Sequence, residues 1–155
     1  MTEQISVERD IAAPAEVVWA MASDVTRMGE WSPETTSCTW TGGATGPAVG
    51  ARFKGVNANS KRTWSTACKV IECEPGEVFT FHVSAVGLGI ADWSYRFQPT
   101  ATGCRVTETW TDRRGWFAKK LGGPVSGVAD RAEHNRAGMA ATLERLAAVA
   151  EATPA

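Results

Sequence analysis

Ile11-Ala12-Ala13-Pro14-Ala15-Glu16-Val17-Val18-Trp19 is the passage on which the reading of this chain turns. Just before it, residues 4–11 alternate, with Ile5, Val7 and Ile11 on one phase, which predicts a strand. Ala12-Ala13-Pro14 breaks the alternation, and Pro14 suits the first turn of a helix because its ring presets φ. Val17, Val18, Met21 and Ala22 then recur at helical spacing. Ser23 or Asp24 can cap a second short helix carrying Val25, Met28 and Trp31, and Pro33 closes the unit.

From there to about residue 112 the pattern has period two. Cys38 and Trp40 share a face, and Phe53 stands in the next strand. Trp64, Thr66, Cys68 and Val70 share a face, as do Phe79, Phe81 and Val83, then Ala91, Trp93, Tyr95 and Phe97, and finally Cys104, Val106, Glu108 and Trp110. Glycine and proline clusters at 41–50, 74–76, 87–89 and 99–103 separate these runs. Six strands joined by such turns form an antiparallel meander, which makes seven with the first. Residues 125–151 read as one amphipathic helix, with Val125, Val128, Ala132, Met139, Leu143, Leu146 and Ala150 along its stripe. The expected fold is α+β: a curved seven-stranded antiparallel sheet, two short helices after strand 1, and a long C-terminal helix over the concave face.

The chain has 155 residues and a mass of 16.6 kDa, the size of one domain, placed at residues 1–152 with 153–155 frayed. Sixteen basic against seventeen acidic residues leave a net charge of −1, so nothing points to nucleic acid. No apolar run approaches the roughly 18 residues of a spanning helix, so no stable membrane insertion is expected. Met1-Thr2-Glu3-Gln4 has neither the basic nor the apolar region of a secretory signal, and the expected compartment is the cytoplasm. Cys38, Cys68, Cys73 and Cys104 form no CxxC pair, and with only His82 and His134 beside them no metal or cofactor is indicated. Buried thiols are the expectation. Seven tryptophans beside a single tyrosine promise a strongly aromatic interior.

The opening passage, followed by Asp24 and by Glu30-Trp31-Ser32-Pro33, resembles the START-like helix-grip superfamily, and more narrowly the polyketide cyclase/dehydrase-type SRPBCC proteins common in actinobacteria. The resemblance covers essentially the whole chain. It implies that the long helix and the sheet enclose a cavity instead of a filled core. At ~24 cal/mol per Å³, a void of ~300 Å³ would cost about 7 kcal/mol, comparable with the ~5–15 kcal/mol stability of a domain. Such a space is therefore expected to hold a hydrophobic small-molecule ligand.

The inward phases supply its expected lining: Trp40, Trp64, Phe81, Trp93, Tyr95 and Trp110, with Asn135 and Met139 from the long helix. The same aromatics would equally build a closed core. Arg9, Arg62 and Glu108 share inward phases but fall near strand ends, where solvated positions are expected. Trp116 and Phe117 lie in the link to the long helix, as a core plug or as a lid over the mouth. The 113–124 loop is also the candidate contact for a protein partner, and membrane contact is a further option for it.

Two patterns resemble chemistry and carry none. Gly42–Gly50 lacks the lysine of a phosphate loop and runs into a strand, so a hairpin loop is expected. His82 falls on the outer phase, and His134 lies beside the helical stripe, where an exposed position is expected. Arg62, Glu108 and Asp112 remain the catalytic candidates should the chain be an enzyme. The aromatase/cyclases it resembles carry a Trp-x-Ser-x-Arg run, where this chain has Trp64-Ser65-Thr66-Ala67-Cys68. Thr66 can replace a hydroxyl, but Cys68 cannot supply a charge. The expected function is therefore binding of a lipid, polyketide or sterol-like molecule, with a cyclase/dehydrase-type enzyme and a protein-interaction module as alternatives.

Overall fold

The computed structural model describes residues 3–115 and 131–152. Strand β1 (Gln4–Ile11) is followed by helix α1 (Ala15–Ser23) and a 3-10 helix (Val25–Glu30). The meander comprises β2 (Thr35–Thr41), β3 (Arg52–Ala58), β4 (Thr63–Glu74), β5 (Val78–Ala85), β6 (Leu88–Thr100) and β7 (Gly103–Asp112). Helix α2 (Arg131–Ala152) completes the described chain. All strand pairings are antiparallel, in the order β1-β7-β6-β5-β4-β3-β2, so only β1 leaves sequence order, by pairing with β7. Irregularities near Val70 in β4 and Val83 in β5 strengthen the local twist and help curve the sheet.

The opening passage folds with two differences from expectation. Pro14 sits one position before the first helical residue, in extended conformation, and its carbonyl accepts from the N–H groups of Val17 and Val18. The second short helix is a single 3-10 element. Asp24 caps it through Oδ1 to the Thr26 N–H, and Trp31 follows its end. Trp31 is buried all the same, with the Arg27 guanidinium 5.1 Å from its ring centroid.

Helix α2 was expected from residue 125; residues 125–130 lie outside those described. Its two halves have different tasks. Leu143, Leu146, Ala147 and Ala150 enter a solid core with Val18, Met21, Val25, Phe53, Phe79, Phe97 and Val106. The Glu151 carboxylate ties the far end to the Ala12 N–H at 2.9 Å. Toward its start, leucine gives way to Asn135, Gly138 and Thr142, and the helix no longer fills the space above the sheet. Of the cysteines, Cys38, Cys68 and Cys104 are buried and Cys73 is partly so; all four are free thiols. No helix among the described residues is long and apolar enough to cross a membrane.

Candidate functional site

Between the first half of α2 and the concave face lies a hollow of about 1080 Å³. Two ladders across neighbouring strands position much of its wall. In one, Phe81, Trp93, Trp110 and Ile5 stand opposite one another on β5, β6, β7 and β1; in the other, Phe79, Tyr95, Glu108 and Val7 do so. Because side chains alternate across a strand, both ladders point to the same concave face.

Of the residues expected there, Trp64, Phe81, Trp93, Tyr95, Trp110, Asn135 and Met139 all belong to the wall. Trp40 does not. Its ring packs edge-on against Phe53 at 5.6 Å between centroids, so it braces the core beside the hollow. Trp116 and Phe117, and with them residues 116–124 of the linking loop, lie outside the described residues. Arg113, Arg114 and Gly115 border the hollow.

The polar candidates separate sharply. Arg62 and Arg9 are exposed, and neither belongs to the wall. Asp112 is buried and bound by its neighbour: Arg114 donates to Oδ1 from Nε at 3.0 Å and to Oδ2 from Nη2 at 2.8 Å. Glu108 overturns the solvated position expected for it. Since β7 runs on to Asp112, Glu108 is well inside the strand, 2% exposed, and part of the wall. Tyr95 donates its hydroxyl hydrogen to Glu108 Oε2 at 3.0 Å, while Oε1 is buried with no partner. Burial raises the carboxyl to about 8, against the opposing effect of the Tyr95 bond, so the group is largely protonated at neutral pH.

A second polar group joins the start of α2 to the segment before β2. Arg131 Nη1 donates to Glu34 Oε1 at 2.7 Å and to Asn135 Oδ1 at 3.2 Å, and His134 Nε2 lies 3.0 Å from Glu34 Oε2. The Arg131 guanidinium also sits 5.8 Å from the centroid of Trp64. Its Nη2 is buried without a hydrogen-bond partner. Glu34 and Arg131 were not singled out from sequence, since 97 residues separate them and no local spacing links them. The signal for Glu108 was present in the run Cys104, Val106, Glu108, Trp110, where one acidic residue interrupts an inward apolar phase.

Thr66 and Cys68 line the hollow on the face of Trp64, as their phase requires. Burial pushes the Cys68 thiol up to about 12, so it stands neutral where the cyclase pattern has arginine. His82 faces away, with Nδ1 2.6 Å from Asp92 Oδ1. Among the described residues no three His, Cys, Asp or Glu side chains are grouped to hold a metal ion.

A long helix gripped by a curved antiparallel sheet, with a mainly apolar hollow beneath its first half, is the helix-grip architecture. The chain belongs to the family described as "Polyketide cyclase / dehydrase and lipid transport", whose model matches residues 2–151. It is similar to the Polyketide_cyc-like protein Cgl2372 from Corynebacterium glutamicum, at 33% identity over 97% of this chain and 90% of that one, with a TM-score of 0.61. Two further structures share the fold. Protein CV1439 from Chromobacterium violaceum is 20% identical over 97% and 99% of the two chains, with a TM-score of 0.72. The di-domain ARO/CYC StfQ from the steffimycin biosynthetic pathway is 16% identical, with a TM-score of 0.75, over 97% of this chain and 51% of that one. No curated protein matches the chain.

Proposed function

We propose that this protein binds a hydrophobic or amphipathic small molecule, of lipid, polyketide or sterol-like type, between the sheet and α2. The observation that carries the reading is the hollow itself. Trp64, Trp93 and Trp110 line it and leave a volume of about 1080 Å³, several times the ~300 Å³ of a small ligand pocket. Apolar walls with a few placed polar groups suit a molecule that is largely hydrocarbon or aromatic. Native mass spectrometry of freshly purified protein, followed by organic extraction, tests this. A discrete extra mass supports the reading; a bare chain that also refuses apolar probes refutes it.

Glu108 favours a second reading, a cyclase/dehydrase-type enzyme. A buried carboxyl raised to about 8 can hand over and recover a proton near neutrality, as enolisation and dehydration require. Of the three catalytic candidates only Glu108 belongs to the wall. Cys68 in the arginine position leaves that charge unsupplied. Turnover of a poly-β-ketone thioester that is lost in Glu108→Gln, with probe uptake intact, would establish the enzyme.

A further inference from the structure

Two buried side-chain polar atoms among the described residues have no hydrogen-bond partner: Glu108 Oε1 and Arg131 Nη2. Both belong to residues of the same wall. Leaving one such atom unmet costs roughly a hydrogen bond's desolvation, and each of the two, in the wall of one cavity, calls for an explanation. We propose that Glu108 and Arg131 are the paired anchors for an apolar carboxylic acid bearing a second acceptor oxygen, its carboxylate at Arg131 and its carbonyl or hydroxyl oxygen at Glu108. This rests on the reading of the hollow as a ligand site and specifies what that site selects.

The chemistry of each atom sets the assignment. Tyr95 already donates to Glu108 Oε2, so the proton of the neutral acid resides on Oε1, which thereby becomes a donor in search of an acceptor. A carbonyl or hydroxyl oxygen meets it; a hydrocarbon does not. Arg131 Nη2 is likewise a donor and carries charge. Its Nη1 is spent on Glu34 and Asn135, which leaves one arm of the planar fork for a carboxylate oxygen. The surrounding charge agrees. Arg113, Arg114, Arg131 and Arg145 border the hollow, against only Glu34 and the largely neutral Glu108 among its acidic residues. Arg113 and Arg114 are held by Asp92 and Asp112.

The groups around Glu108 allow its ionisation to be read separately. From β6 the titratable neighbour is Tyr95, itself raised by burial and by Glu108, and β1 places Val7 opposite. Cys38 of β2 and Cys68 of β4 share the wall and are held neutral by burial, at about 11 and about 12. Helix α2 contributes Arg131, His134 and Arg145 to it, and the segment after β7 contributes Arg113 and Arg114. The shift at Glu108 itself comes from burial, opposed by the Tyr95 bond.

The test is isothermal titration of the full chain, cleared of any carried ligand, with dodecanoate, 2-dodecanone and a series of oxododecanoates whose keto group moves along the chain. At pH 6.5 one keto position should bind about tenfold more tightly than dodecanoate, the value of one well-made buried hydrogen bond. That advantage should vanish in Glu108→Leu and survive in Glu108→Gln, whose amide still accepts from Tyr95 and still donates. In the native chain it should fade as pH passes 8, and in Glu108→Gln it should not, a readout independent of whether the leucine variant folds. Arg131→Gln should weaken all the acids about tenfold and leave 2-dodecanone unchanged. A flat keto series overturns the proposal, as does equal loss of acid and ketone in Arg131→Gln, and both results leave the hollow a binding site. Failure of every probe to bind, 2-dodecanone included, overturns the ligand-binding reading and this one with it.

Discussion

Tyr95 and Glu108 face each other on β6 and β7, and the tyrosine hydroxyl holds one carboxyl oxygen at 3.0 Å while the other meets nothing. Such a pair keeps an acid inside an aromatic wall without a countercharge. Desolvation disfavours the ionised form, and the single hydrogen bond recovers only part of that cost.

The first consequence is a stability that falls as pH rises. Between the ordinary carboxyl value of 4.5 and about 8, the folded chain retains a proton that the unfolded chain has released. The free energy of unfolding therefore drops across that window, by at most about 1.4 kcal/mol per pH unit. Glu108→Gln has no such proton, so the difference between native and variant, followed by urea denaturation from pH 5 to 9, should tilt toward the variant. Parallel curves would contradict the buried, neutral acid.

Glu34 fastens the start of α2 through Arg131 and His134. The Arg131 pair is partly buried, with Glu34 21% exposed, while the His134 contact is exposed on the histidine side, so together they exceed ordinary surface pairs only modestly. Glu34→Ala should cost about 1 kcal/mol globally. Its larger effect should be local, with faster amide exchange over residues 131–138 and little change over 143–150, where Leu143 and Leu146 anchor the helix in the core. Uniform exchange along α2 would show that the Glu34 contacts do not hold its first half.

Gly138 lies mid-helix at the edge of the hollow, and a Cβ built there meets no atom within 4 Å. Gly138→Ala should raise the melting temperature, corresponding to about 0.5–1 kcal/mol, because alanine loses less backbone entropy in a helix. A large residue tests the space itself. Gly138→Phe should lower the capture of apolar probes while far-UV circular dichroism stays native.

Gly103 opens β7 where it passes β1 and the linker to α1. A Cβ at that position would collide with the Ile11 carbonyl oxygen and the Ala13 nitrogen, both backbone atoms that cannot rotate away. Gly103→Ala should therefore destabilise by about 1–3 kcal/mol, the range of overpacked cores, read as a fall in denaturation midpoint. An unchanged midpoint would mean that the crossing of β7 over the linker is looser than described.

Elements whose signal is local were legible in the residues. Alternation on β4 to β7 identified strands and faces, because side chains in a strand alternate whatever its partner. Pro14 and Asp24 marked where one element yields to the next, through φ and a capping oxygen. Trp64, Trp93 and Trp110 share the inward phase for the same reason, and all three line the hollow. Period two says nothing, however, about how far a ladder extends or how deep it lies. Trp40 shares its phase with Cys38 and yet braces Phe53, while Glu108 lies inside the wall because β7 continues beyond it.

What the sequence by itself determined was the order of the elements and the inward phase of each strand. Those follow from periodicity and turn chemistry, which act over a few residues. What only the tertiary structure decided was the hollow and its polar points. The space exists because α2 places its leucines in the solid core and, apart from Met139, presents small and polar residues over the open half of the sheet. The pairing of Glu34 with Arg131, and the isolation of Glu108 Oε1, depend on segments far apart in the chain whose distance and solvent exposure are set only when the sheet and helix close.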